Sequence, residues 1–236
     1  FRFGAVWAPV PLPPDWPAQN RLVQRYRGAR IMIGVLPIGT LAVGDAPLAA
    51  LFWSLPADSY QAWRHRGIDP WREEVGALWP DVAPLIAKLG SVDDLAFARY
   101  SDLTTATPIA DRLAIIGDAA HSTSPQLGQG ANLALMDAEA LSSAIAAHPN
   151  ALEVSLQTYA ASRRRHVRFY QFASRWLTPF FQSESRIAGA VRDLTFGPAA
   201  RLGYVRRQMV ATLAGLKPGL VALPDLSGEL SLPPAP

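Results

Sequence analysis

Residues 111–141 read DRLAIIGDAAHSTSPQLGQGANLALMDAEAL: an apolar run, a glycine-punctuated loop and a helix pattern in immediate succession. Leu113–Ile116 is wholly apolar, as expected of a short strand buried on both faces. Gly117 follows where a side chain would obstruct a sharp turn. Asp118 stands just past the strand's carboxyl end, where open α/β sheets place ligand-binding groups. A carboxylate there accepts hydrogen bonds from sugar or polyol hydroxyls. Gly128 and Gly130 let a flat ligand approach the main chain. A helix is expected from about Gln129 to His148, with Leu133, Met136, Ala140, Leu141, Ala144 and Ile145 at helical spacing. The N–H groups of Gly130, Ala131 and Asn132 at its start have no partner within the helix. They face outward as donors for an anion or an electron-rich carbonyl oxygen.

Upstream, Leu22–Tyr26 mixes apolar and polar residues, Phe1–Ala8 is an apolar, aromatic run, Arg30–Ile38 is β-branched-rich, and Leu48–Leu55 is largely apolar. Phe1–Ala8, Leu22–Tyr26, Arg30–Ile38 and Leu48–Leu55 are strand-like runs, with turn residues Gly39, Gly44, Asp45 and Pro47 before the last. They predict a largely antiparallel sheet. Short helices are expected after Asp58, at Asp69-Pro70 and from Asp81 to Gly90, then a strand at Phe97–Tyr100. Downstream, residues 152–178 predict a long helix with Leu152, Leu156, Tyr159, Val167, Tyr170 and Leu177 in one stripe. Arg163–Arg165, Arg168 and Arg175 are assigned to its solvated faces. Two further helices are expected near 184–194 and 199–213, and an irregular tail from Pro218. The fold class is therefore mixed α/β. Residues 1–110 read as a sheet region, 111–150 as an α/β segment, and 151–236 as C-terminal helices and tail.

Composition narrows the function. Half the residues are hydrophobic and 17% are charged, which excludes disorder for most of the chain. Cysteine is absent, which excludes disulfides, thiolate metal sites and cysteine nucleophiles and fits a cytoplasmic protein. The four histidines are scattered, so no metal site is expected. No secretory signal or membrane-spanning run is evident, and no nucleic-acid module is recognisable. H-E-x-x-H, G-x-S-x-G and P-loop patterns are missing. Net charge is −3 over residues 1–150 and +6 over 151–236, and 20 of the 22 basic residues are arginine. Arg163–Arg168 with Trp176, Phe180 and Phe181 offers a peripheral membrane-contact surface as a minority expectation. The chain starts at Phe1 in strand-like sequence, and is expected to be a fragment.

Gly117, Asp118, Ala119, Ala120, His121, Pro125, Gly128, Gly130, Asn132 and Asp137 together resemble the second FAD-binding motif of the class A flavoprotein monooxygenases. That family includes para-hydroxybenzoate hydroxylase and the ubiquinone-biosynthesis hydroxylases. The resemblance implies the FAD-binding fold of the aromatic hydroxylases, with residues 1–110 as the substrate-binding sheet region and 111–150 as the C-terminal segment of the FAD-binding domain, and an oxidoreductase that uses NAD(P)H and oxygen through a flavin hydroperoxide to hydroxylate an aromatic or other electron-rich small molecule. It implies that Asp118 binds the ribityl chain. Pro125 would lie beside the isoalloxazine, and the main chain at Gly130, Ala131 and Asn132 would bind its pyrimidine end, with Gly117 and Gly128 shaping the loop. The family's first motif, G-x-G-x-x-G, does not occur in this sequence. The chain alone is accordingly expected to bind FAD weakly and to be inactive. A reductase or halogenase on the same fold, or a non-catalytic binding module, are the alternatives, although no W-x-W-x-I-P halogenase motif is found. No catalytic residue is assigned. His121 and Asp137 are read as structural, and most of the early tryptophans as core, with one or two available to an aromatic substrate.

Overall fold

A computed structural model describes residues 2–217 and 219; the tail expected to be irregular lies, apart from residue 219, outside the described residues. The chain divides into two compact units, residues 1–100 with 179–190, and residues 101–178 with 191–236.

In the first unit, β1 (Phe3–Pro11), β2 (Val23–Arg27), β3 (Ile31–Gly39), β4 (Leu48–Pro56) and β5 (Ala96–Arg99) form a five-stranded sheet in the order β2-β3-β4-β1-β5. Every pairing is antiparallel. Register explains the core. Val6 lies opposite Trp53, which also faces Ile33, and Ala8 lies opposite Leu51, which also faces Val35. These six side chains are all buried on one face of the sheet.

Helices α1 (Tyr60–Arg66), α2 (Ile68–Leu78) and α3 (Ala83–Ile86) supply the second layer. Gly67, at φ +83°, is the left-handed joint between α1 and α2. In α2, Ile68, Trp71 and Val75 are buried at helical spacing. Trp71 meets Trp53 and Trp63 edge-on, with ring centroids 6.4 and 6.3 Å away. Fully burying a large apolar side chain contributes about 1.5–3 kcal/mol, so these indoles anchor the unit. Trp16 and Trp79 join the same core, whereas Trp7 is 43% exposed on the other face of the sheet. There it pairs with Phe52, whose ring covers Gly34 so closely that a Cβ at Gly34 would sit 2.0 Å from it.

In the second unit, β6 (Ile109–Ala110) and β7 (Leu113–Ala114) make a short hairpin. Next come α4 (Asp118–His121), α5 (Gly130–Ala147), α6 (Leu152–Phe181), α7 (Arg186–Ala200) and α8 (Gly203–Leu213). The long segments of α6 and α7 that follow Leu152 and precede Ala200 cross the boundary between the units in sequence. Leu127, Leu133, Phe169 and Tyr170 form the apolar core. No helix among the described residues is long and apolar enough to cross a membrane.

Two expectations fail here. Leu113–Ile116 is not buried on both faces: Leu113 is 50% exposed and Ile116 is 38% exposed. Its only strand partner among the described residues is the two-residue β6, so no flanking strand covers it. Arg163 is not on a solvated face. It is 7% exposed, because it lies on the same buried stripe as Leu156, Tyr159, His166 and Tyr170.

Candidate functional site

The turn at Gly117 is the starting point. Its φ of 60° and ψ of −145° favour glycine, and a Cβ there would press to 3.2 Å from Ala134 of α5. Its carbonyl accepts the N–H groups of Ala120 and His121 at 2.9 and 3.0 Å, which winds α4 immediately behind it. Asp118, the first residue of α4, is thereby left exposed.

A buried polar network holds this turn. Asp137 is fully buried. Its Oδ2 accepts the Gly117 N–H at 2.9 Å and faces His121 Nε2 at 2.5 Å, while Oδ1 accepts Arg163 Nε at 2.7 Å. Burial alone would raise the Asp137 carboxyl, but the hydrogen bonds from His121, Arg163 and Gly117 outweigh it and hold the group below its ordinary value. Arg163 continues to His166 Nδ1 at 3.1 Å, and His166 Nε2 reaches the Gly215 carbonyl at 2.8 Å. Arginine only donates and a carbonyl only accepts, so His166 is the neutral tautomer with its proton on Nε2. Burial, reinforced by the Arg163 charge, depresses His166 despite the bond to Gly215. Tyr159 donates to the Ile115 carbonyl at 3.1 Å, just before the turn. Burial, then the Asp137 charge, pushes its hydroxyl up to about 12 against the opposing pull of Arg163.

The loop after α4 is pinned from α6. Ser124 Oγ lies 2.9 Å from Ser174 Oγ and 2.7 Å from Thr178 Oγ1. That leaves Pro125 exposed at the head of a 3-10 turn, which Gly128 closes at φ +62°. Helix α5 then begins at Gly130 without a side-chain cap. Among the described residues, nothing accepts the N–H groups of Gly130, Ala131 or Asn132. Asp118 Oδ1 lies 3.6 Å from the point where a Cβ on Gly130 would sit. The structure therefore brings Asp118 together with the free amides of Gly130–Asn132, while Pro125 and Gly128 border them in the loop. Chemically, this is a carboxylate acceptor beside three unsatisfied donors at a helix start.

One set of neighbours was not foreseen from sequence. The Asn132 side chain donates to Gln129 Oε1 at 2.8 Å, and Gln129 Nε2 donates to the Leu213 carbonyl at 2.7 Å. Gly215, at φ +78°, lies so close that a Cβ would fall 1.9 Å from Asn132 Nδ2. Tyr170 of α6 donates to the Thr212 carbonyl at 3.0 Å, tying the end of α8 to α6 as well. A glycine just past a helix is a legible helix-stop signal, but the sequence gives no sign of what it stops against.

The FAD binding domain family matches residues 55–171 of this chain. The 6-methylpretetramide 4-monooxygenase of Streptomyces rimosus is 33% identical over 156 residues, which cover 60% of this chain and 35% of that protein. The FAD-dependent urate hydroxylase of Mycolicibacterium vanbaalenii is 31% identical over 110 residues, covering 39% of this chain and 28% of that protein. The structure of Klebsiella pneumoniae HpxO complexed with FAD and uric acid superposes with a TM-score of 0.68 at 18% identity, covering 94% of this chain and 54% of that one. That likeness is one of fold. The chain thus spans about a third of the sequence relatives it matches and about half of the solved one. With the fold and the Gly117–Asn132 geometry in hand, these matches make the chain a member of the class A family of FAD-dependent monooxygenases.

Proposed function

We propose that this chain supplies the isoalloxazine and ribityl part of an FAD site in a monooxygenase that hydroxylates an aromatic or other electron-rich small molecule, with NAD(P)H and oxygen as co-substrates. The single observation that carries the reading is the convergence of Asp118 with the uncapped start of α5. The residues fit that part of FAD on chemical grounds. Three N–H groups without acceptors suit an electron-rich carbonyl edge, and an exposed carboxylate suits polyol hydroxyls. Gly130 offers no side chain between the ring and the main chain. Pro125, exposed and rigid, borders the same opening.

When bound, the flavin supplies the redox and oxygen chemistry. The protein's share is positional and electrostatic. The helix start stabilises negative charge at the ring's carbonyl edge by about 0.3–1 kcal/mol, up to about 2 where partly buried. Asp137 holds Gly117 and so aims Asp118. No side chain of this chain is assigned a proton-transfer role: His121 is engaged with Asp137 and buried. The relatives' names, for 6-methylpretetramide and urate, support a small-molecule substrate. Trp7, exposed beside Phe52 on the open face of the first unit's sheet, offers a wall for an aromatic one.

The test is a titration of the 236-residue chain with FAD, followed by flavin fluorescence. The expected affinity is weaker than micromolar, since the chain carries no G-x-G-x-x-G for the ADP part. Asp118→Ala is expected to weaken it further by about tenfold, as hydrogen bonds to charged groups contribute about 1.5–3 kcal/mol. Equal affinities for the two proteins would overturn the assignment of Asp118.

A further inference from the structure

Behind α4, between residues 104–109 and α6, the second unit contains a cavity of about 160 Å³. That is smaller than the roughly 300 Å³ at which pockets begin to enclose whole drug-sized ligands, so it suits one small group. His121 lines it and is 5% exposed. Its Nε2 is committed to Asp137, but its Nδ1 is buried with no hydrogen-bond partner among the described residues. A buried polar atom left bare costs about 1–3 kcal/mol, which calls for an occupant.

The rest of the lining says what kind. Arg164 and Arg168 stand one turn apart on α6, both exposed, and neither has an ion pair or hydrogen bond among the described residues. Across from them are Thr105 and Thr107, whose hydroxyls are uncommitted. The only carboxylate in the lining is Asp137, and both its oxygens are taken, by Arg163 and by Gly117 with His121. The cavity therefore presents two free cations, two hydroxyls and one bare imidazole nitrogen, with no free negative charge.

We propose that this cavity binds a phosphate-type oxyanion, either free phosphate or a phosphate monoester on a nucleotide. Arg164 and Arg168 pair with its outer oxygens. Thr105 and Thr107 donate to it from the opposite wall. Nε2 of His121 is committed to Asp137, so the bare Nδ1 is the ring atom left to hydrogen-bond the anion. A hydrogen phosphate can both give a P–OH and accept there; sulfate at neutral pH can only accept. A planar carboxylate has two oxygens, too few for donors arriving from both walls. The site is distinct from the opening at Asp118 and Gly130, and its existence does not depend on flavin binding.

The experiment is calorimetric titration of the full chain with inorganic phosphate and with sulfate at constant ionic strength. Phosphate is expected to bind saturably and about tenfold tighter than sulfate, a difference of about 1.4 kcal/mol. Binding is expected to fall at least about tenfold in an Arg164→Gln/Arg168→Gln variant, whose exposed substitutions leave the melting temperature without anion unchanged. The nitrogen-15 resonance of His121 Nδ1 should move on adding phosphate. If the variant binds phosphate like the parent, or if the His121 resonance stays put, the site does not exist. NADPH and NADH separate the two sources. Tighter binding of NADPH than of phosphate, absent for NADH, identifies a nucleotide monoester, an arm that rests on the proposed use of NAD(P)H. Phosphate binding without that preference identifies the free ion. FAD that displaces phosphate would merge the cavity with the flavin site and overturn it as a separate one, whereas the Asp118→Ala titration is untouched by either result.

Discussion

The backbone N–H of Gly117 donates to Oδ2 of Asp137 at 2.9 Å, across twenty residues of sequence. This bond ties a left-handed turn to a helix, and the same carboxylate neutralises Arg163 in a buried setting. Asp137→Asn keeps the shape but leaves Arg163 buried without a counter-charge. Breaking a buried pair in this way costs about 3–5 kcal/mol. Urea unfolding at pH 7 should show the midpoint falling accordingly with an unchanged slope. A loss under about 1 kcal/mol would mean that water already screens the pair.

The same network sets a pH dependence. Asp137 is held below its ordinary value when folded, so its contribution is present above the unfolded value near 4 and is lost as pH falls through the lower native value. His166 is also depressed. The unfolded chain takes up its proton near pH 6.5 while the folded chain does not. Stability from His166 is therefore complete above about 6.5 and declines as pH falls toward the native value. Protonation would also cost the bond from Arg163 to Nδ1. Stability measured from pH 7 down to 5 should drop, and His166→Gln should flatten that stretch while leaving the further decline from Asp137 below pH 4 in place.

What the sequence shows plainly is whatever has a local period. The β-branched-rich run Arg30–Ile38 and the apolar run Leu48–Leu55 find β3 and β4, and the Asp69-Pro70 start finds α2. The loop from Gly117 to Asn132 is legible because glycine, proline and acid stand in a fixed order there. Contacts across long separations are not legible. Arg163 reads as one of a run of surface arginines, since nothing local reveals that Asp137 waits for it, 26 residues upstream. Leu113–Ile116 misleads for the opposite reason: its apolar content is real, yet burial needs neighbours, and the described residues give it only β6.

Tyr159 tests how firmly the approach to Gly117 is held. Its hydroxyl caps the Ile115 carbonyl and is raised to about 12, first by burial and then by the Asp137 charge. Tyr159→Phe removes one hydrogen bond without emptying the core, and should cost about 1 kcal/mol. Spectrophotometric titration should show one tyrosine fewer titrating near pH 12 in the variant than in the parent, while Tyr100 and Tyr170, also raised by burial, titrate late in both.

Gly215→Ala should act at a distance in sequence. A Cβ at this position meets Asn132 Nδ2 at 1.9 Å, and φ is +78°. Overpacking of this kind costs about 1–3 kcal/mol, with strain at positive φ adding to it. Thermal unfolding should register the loss. Hydrogen exchange should show faster opening at the start of α5, where Gln129 and Asn132 lose their seat against the end of α8. Asn132→Ala, which removes the nearer contact, should recover part of the loss, and no recovery would place the strain in the backbone or against Gln129 Oε1, 2.8 Å from the same Cβ.

Gly130→Ala separates folding from binding. Gly130 opens α5, and a Cβ there would meet only Asp118 Oδ1, at an ordinary 3.6 Å. In the folded chain the substitution is therefore unstrained, and alanine's lower unfolded-state entropy should stabilise the protein by about 0.4–1 kcal/mol. The same methyl would stand between Asp118 and the amides proposed to receive the flavin. FAD affinity should fall by about tenfold or more while the melting temperature rises, a pairing that simple damage to the fold does not produce. If affinity and stability both hold or both fall, Gly130 is not where the ring approaches the main chain.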